Sequence, residues 1–230
     1  MRQIIFDTET TGMNFDSSNK AEGHRVIEIG CVELIDRLPT DNHFHLYLNP
    51  EREVDPDAFR VHGIGDDFLA DKPLFADILE QFEAYLDGAD ELIAHNIAFD
   101  RAFLDQELAL SGRDYRLADR FTLVDTLKIA KEKFAGARNN LDALCARFGI
   151  DNSNRDLHGA LLDAELLAEV YLKLTGGQNA LWEEDTAPAA AQTEEAPEEI
   201  VLSNGNWLAI SASPAERDTH ERILSSIRKN

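Results

Sequence analysis

Residues 1–12 read MRQIIFDTETTG. The apolar run Ile4-Ile5-Phe6 predicts a short buried strand over Gln3–Phe6, and it leads directly into Asp7, Thr8 and Glu9. Side chains alternate across a strand with a period of two, so if the extended geometry continues, Asp7 and Glu9 point the same way and their charges repel. Either something positive sits between them or one of them holds a proton. The fold must supply one or the other.

Working outward, RVIEIGCVELID (25–36) and NHFHLYL (42–48) alternate as strands do, and Pro39-Thr40-Asp41 predicts the turn between them. With the first strand they give a three-stranded antiparallel start. Helices follow over 56–61 and 73–86, then a strand over 91–94 and a helix from 98 to 110. A further strand is expected at 121–124, with helices at 126–134, 141–148 (stopped by Gly149) and 159–174. Strands first, then strands alternating with helices, describe an α/β domain with a mixed sheet, ending near residue 177.

Composition limits the function classes. The chain has 230 residues, 43% of them hydrophobic, enough for a real core. No run approaches the ~18 apolar residues of a membrane span, and the N-terminus lacks a signal-peptide core, so a cytoplasmic protein without membrane contact is expected. Cys31 and Cys145 lie in apolar contexts and read as buried free thiols. A net charge of −22 argues against a broad basic face that grips nucleic acid.

Further acids stand in telling places. Asp100 closes HNIAFD (95–100), and His158 and Asp163 flank HGALLD (158–163). Five helical positions separate two side chains by about 140°, so His158 belongs on the segment leading into the helix and Asp163 one turn inside, from where both reach a common point. Asp125 reads as the N-cap of the helix that begins at Thr126. Hard oxygen donors suit Mg²⁺ or Mn²⁺ rather than zinc. Two such ions about 4 Å apart can clamp the attacking and leaving oxygens of a phosphodiester, and a neutral His beside them can take a proton from water. Shared cations would also remove the repulsion between Asp7 and Glu9.

FDTETTG (6–12), HNIAFD (95–100) and HGALLDA (158–164) resemble the three motifs of the DEDDh exonucleases. EGHRVIEIG (22–30), VDPDAFRVHGI (54–64), NNLDALCARFGIDNS (139–153) and LHGALLDAELLAEVYLKLTGGQ (157–178) narrow the resemblance to the proofreading exonuclease family of bacterial DNA polymerase III. The resemblance spans residues 2–178. It implies a ribonuclease-H-like mixed sheet flanked by helices, and two-metal hydrolysis that releases 5′-monophosphates from a 3′ end. It implies that Asp7 bridges two divalent cations, that Glu9 and Asp163 hold the one that binds the nucleophilic water, and that Asp100 supports the other through water. His158 is the implied general base. Asp57, His62 and Phe99 are implied to line the terminal nucleotide, with Asp7, Glu9 and Asp163 also in contact with it. Thr10, Gly12 and Met13 follow the first motif. Gly12 lets the backbone approach the nucleotide and Met13 packs on its base, or the stretch is simply a glycine-bearing turn. His95 and Asn96 could orient the second motif, but a buried, satisfied histidine is the default reading.

Beyond residue 177 the composition changes. Gln178, Leu181 and Trp182 resemble the short motif (178–182) that binds the sliding clamp, against the alternative of a helix end packing its own Trp. Residues 183–199 contain seven acids and no base, and are expected to form a flexible linker. Residues 200–230 include Ile200, Trp207, Ile210, Leu224 and Ile227, too apolar to stay exposed and too few to fold alone. The resemblance assigns this segment to the DNA polymerase III alpha subunit and leaves room for a small third core subunit. Tethering by such partners would explain how so acidic a chain works on a single-stranded 3′ end of DNA. Two other readings stay open at this point: an RNA-trimming exoribonuclease of the same chemistry, and a mainly structural subunit of a polymerase–clamp assembly.

Overall fold

The computed structural model describes residues 1–155 and 157–176. Strand β1 (Arg2–Thr10) continues through both acids instead of ending at Phe6. It pairs antiparallel with β2 (Val26–Ile35), which pairs antiparallel with β3 (Leu38–Tyr47). The next elements are α1 (Pro56–His62), α2 (Asp66–Leu69), α3 (Phe75–Leu86), β4 (Glu91–Ala94), α4 (Ile97–Leu110), α5 (Leu117–Arg120), β5 (Thr122–Asp125), α6 (Thr126–Lys133), α7 (Leu141–Phe148) and α8 (Ala160–Thr175). Strands β4 and β5 add in parallel, giving the order β3-β2-β1-β4-β5. This is the expected mixed sheet flanked by helices.

β1 is central and covered on both faces. Ile4 and Phe6 join Phe103 and Leu104 of α4 and Phe82 of α3 in one core, while Ile5 joins Ala164 and Leu167 of α8 in the other. Each such side chain, wholly withdrawn from water, contributes about 1.5–3 kcal/mol. The cysteines follow the same logic: Cys31 is in the first core, Cys145 in the second, and both are free thiols.

One turn differs from expectation. The β2–β3 hairpin reverses at Asp36-Arg37, both with positive φ (49° and 68°), as a tight two-residue turn requires. Pro39, Thr40 and Asp41 lie within β3, an edge strand, where a proline's missing N–H breaks no ladder. The four-residue helices α2 and α5 are too short to show a period and were not expected. Among the described residues no helix is long and apolar enough to cross a membrane. The expected clamp motif, linker and polymerase-binding segment (178–230) lie outside the described residues.

Candidate active site

Alternation along β1 divides its polar end between the two cores. Asp7 and Glu9 share the parity of Ile5 and face α8, whereas Thr8 shares the parity of Ile4 and Phe6 and faces α4. Accordingly, Asp100 in the first turn of α4 accepts hydrogen bonds from the Thr8 backbone N–H (3.2 Å) and Oγ1 (2.8 Å). On the other face, Gly30 is the cross-strand partner of Asp7. A Cβ there would lie 2.2 Å from the Ala160 carbonyl carbon and the Leu161 nitrogen. The missing side chain lets the first turn of α8, with Asp163, rest directly on the sheet beside Asp7.

His158 precedes α8, as expected. Its backbone N–H donates to the Val61 carbonyl at 3.2 Å, and the preceding Leu157 lies against Gly63, so this segment docks on the end of α1. Its Nδ1 is 3.1 Å from Asp163 Oδ2. Glu9, His158 and Asp163 each offer one ligand atom, all within 4.8 Å of one another. Asp7 and Asp100 stand outside that tightest group, but all five residues line one cavity of about 300 Å³.

Burial first, then the charges of Asp100, Glu9 and Asp163, raises the Asp7 carboxyl well above its usual range. Burial, with Asp163 and Glu28 nearby, pushes Glu9 to about 8. Burial also pushes Asp100 to about 7, against the hydrogen bonds from Thr8. Asp163 differs. Burial works on it most strongly, but Arg155 and His158 together outweigh burial and hold it below the ordinary carboxylate value. The Arg155 guanidinium donates to both Asp163 oxygens (2.5 and 2.6 Å) and to Asp142 (2.5 Å).

Carboxylates raised by burial and by one another are relieved by a cation. The oxygen-rich set suits a hard divalent ion, so the residues present fit such a group.

A second cavity, of about 590 Å³, adjoins the first through Thr8, Glu9 and Phe99. Thr10, Gly12, Met13, Asp57 and His62 line it, as do Phe15, Ala58 and Val61, which sequence reading missed. Gly12 has φ of +133°, and a Cβ there would lie 2.6 Å from Asp55 Oδ2, so glycine is required by the turn itself. Phe99 packs on Phe103 with ring centroids 4.8 Å apart. His62 is buried, accepts the Ile64 N–H on Nδ1 at 3.0 Å, and leaves Nε2 without a hydrogen-bond partner among the described residues. Burial lowers its pKa, which favours the neutral ring. Asp57 is exposed and pairs with Arg60.

Asp125 caps α6 through Leu127 and Lys128 N–H and also accepts the Asn96 N–H, fixing the left-handed turn that starts α4. His95 is only half-satisfied among the described residues: Nδ1 bonds Thr126 Oγ1 at 2.9 Å while Nε2 is buried without a partner there. The most consequential residue missed in sequence is Arg155. A lone base in an aperiodic segment carries no pattern, and only its spacing of three from His158 could have drawn notice.

A protein-family model described as Exonuclease matches residues 4–171. DNA polymerase III subunit epsilon of Salmonella typhimurium is 50% identical over 230 residues, covering 99% of this chain and 94% of that protein. The protein of the same name from Escherichia coli is 49% identical with the same coverage. Among solved structures, Exonuclease X in complex with 5′ overhanging duplex DNA aligns with a TM-score of 0.57 at 24% identity, covering 75% of this chain and 90% of that one. The nuclease domain of 3′hExo, a DEDDh family member bound to rAMP, aligns with a TM-score of 0.62 at 19% identity, covering 75% and 90%. These two likenesses concern the fold.

Proposed function

The chain belongs to the DNA polymerase III epsilon-subunit family of proofreading 3′→5′ exonucleases, and from that premise we propose how its own residues carry out the reaction. The RNA-trimming reading gives way here. The fold serves DNA and RNA enzymes alike, but relatives half-identical along almost the whole chain are polymerase subunits. One observation supports the assignment of roles: Asp7, Glu9, Asp100, His158 and Asp163 share a cavity that opens into a larger, mostly apolar one.

In the proposal the larger cavity takes the terminal nucleoside. Met13 and Phe99 pack on the base, and the Thr10–Gly12 turn and neutral His62 meet the sugar. The scissile phosphodiester then lies over the acids. Asp7, Glu9, Asp100 and Asp163 would hold divalent cations, Mg²⁺ or Mn²⁺, which would supply Lewis acidity to the phosphoryl oxygens and lower the pKa of water. His158 accepts the proton of the attacking water as the new P–O bond forms. The bond to the 3′ oxygen of the penultimate nucleotide breaks, and that oxygen takes a proton from solvent water. The products are a 5′-monophosphate and a strand one nucleotide shorter.

The net charge of −22 supports weak intrinsic affinity for DNA, with local concentration supplied by partners. In this reading residues 1–177 form the nuclease domain, Gln178, Leu181 and Trp182 engage the sliding clamp, 183–199 link, and 200–230 bind the polymerase alpha subunit. A small third core subunit is compatible with this arrangement. Removal of residues 200–230 is expected to abolish polymerase association and leave hydrolysis of short substrates intact. Leu181→Ala with Trp182→Ala is expected to lose clamp binding.

The direct test is release of 5′-monophosphates from a 3′-labelled DNA oligonucleotide with Mg²⁺ or EDTA. Metal-dependent release from the 3′ end, lost in Asp7→Ala, is expected. Release that persists in EDTA or in Asp7→Ala would refute these roles.

A further inference from the structure

The acids of the site are unequally served. Among the described residues no Lys or Arg pairs with Asp7, Glu9 or Asp100, whereas Arg155 takes both oxygens of Asp163. Its side chain is 6% exposed, so this is no screened surface pair. Arg155 is also tied to His158: Nη2 lies 2.8 Å from Nδ1. A guanidinium only donates, so Nδ1 is the acceptor and the ring carries its proton on Nε2; Nδ1 is thus open to a water proton only once Arg155 has drawn back toward Asp142. Nδ1 and Asp163 Oδ2, 3.1 Å apart, are then two acceptors held together by the one nitrogen between them.

We propose that Arg155 is a built-in counter-cation of the metal site, positioning Asp163 and His158 while competing with a divalent ion for Asp163. The inference rests on the reading that Asp163 is a metal ligand. A guanidinium already bonded to both carboxylate oxygens stands beside any ion placed among Glu9, His158 and Asp163, and like charges at such range in a buried site repel strongly. Binding of either cation therefore weakens the other, a reciprocal coupling. The geometry also gives Arg155 a place to retreat. Nη1 is bonded to Asp142 in the first turn of α7, a carboxylate 52% exposed and outside the ligand group. Arg155 sits between α7 and α8, where the described residues form neither helix nor strand, so it can shift while Asp163 stays fixed on α8.

The test is Mn²⁺ binding to the full chain by calorimetry, with thermal unfolding in EDTA and in Mn²⁺, for wild type, Arg155→Gln and Arg155→Lys. In Arg155→Gln, Mn²⁺ is expected to bind about fivefold tighter or more, the low end of common coupling. The same variant is expected to have a lower Tm in EDTA and a larger rise in Tm on adding Mn²⁺. Arg155→Lys keeps the charge, loses the fork and falls between; it answers the question if Arg155→Gln does not fold. Unchanged or weaker Mn²⁺ binding in the variants overturns the proposal and leaves the metal site standing. Absence of Mn²⁺ binding in wild type and variants alike overturns the metal site and the proposal together.

Discussion

Asp7 and Glu9 ride on the central strand, and His158 rides on a segment without regular structure. The first pair is placed by register and parity: once β1 is central and its apolar residues are buried, Asp7 and Glu9 have one direction to face. His158 is placed by contacts far away in sequence, with Val61, Gly63, Arg155 and Asp163. The strand half is rigid and electrostatically strained, since its acids lack cationic partners among the described residues. The loop half is neutralised locally by Arg155 and lies outside any helix or strand among the described residues. The proposed mechanism uses both, a fixed seat for charge and a base beside the reacting water.

Perturbing the strand half most directly, Asp7→Asn is expected to lower kcat about 10³-fold or more, on the scale of losing a central electrostatic group. Yet it should raise the metal-free Tm, because an amide removes the cost of either burying a charge among like charges or protonating the carboxyl. A variant that lost both activity and metal-free stability would break the contrast. On the loop half, His158→Gln is expected to cost about 10²-fold or more in kcat, the low end for removing a general base. Because the ring is exposed, unfolding midpoints in urea should barely move.

Gly30→Ala strikes the junction of the halves. The added methyl meets the α8 backbone, a clash expected to cost about 1–3 kcal/mol by chemical denaturation and to lower activity as Asp163 moves away. The strand half also predicts a pH dependence. The folded-state values of Glu9 (about 8, from 4.5) and Asp100 (about 7, from 3.8) are raised, so their contribution favours the fold below the ordinary values and is lost as pH climbs through 7 and 8. In EDTA, Tm is expected to fall by about 5 °C or more between pH 5 and 9, and Mg²⁺ should flatten the slope. A slope identical with and without Mg²⁺ would argue that the acids hold no ion. The smallest effect is expected from Leu157→Ala, a half-exposed side chain resting on Gly63: a few-fold loss of kcat with stability lowered by about 1 kcal/mol or less.

The same contrast explains what the sequence made legible. Alternation through IIFDTE predicts that Asp7 and Glu9 point together, and helical geometry predicts that His158 must precede the helix bearing Asp163; both hold. Asp125 reads as a cap and is one. What lay hidden depends on long-range packing or on rare backbone shapes. Asp36-Arg37 lacks the usual Asn-Gly chemistry of a tight hairpin, so the turn was expected at Pro39-Thr40-Asp41 instead. Gly30 looks like any glycine in a strand until a helix is laid on it. Arg155 belongs to no periodic pattern, and its importance lies in which acids surround it.

Helix α1 lines the larger cavity with Ala58, Val61 and His62, and its end receives the backbone of His158 and the side chain of Leu157. In the proposed mechanism a single helix of seven residues thus faces the departing nucleotide on one side and supports the segment of the proton acceptor at its end. In kinetic terms, affinity and turnover share a lever. Substitutions along α1 should move KM and kcat together, and a strand end that seats poorly against this helix would be processed slowly as well as held weakly.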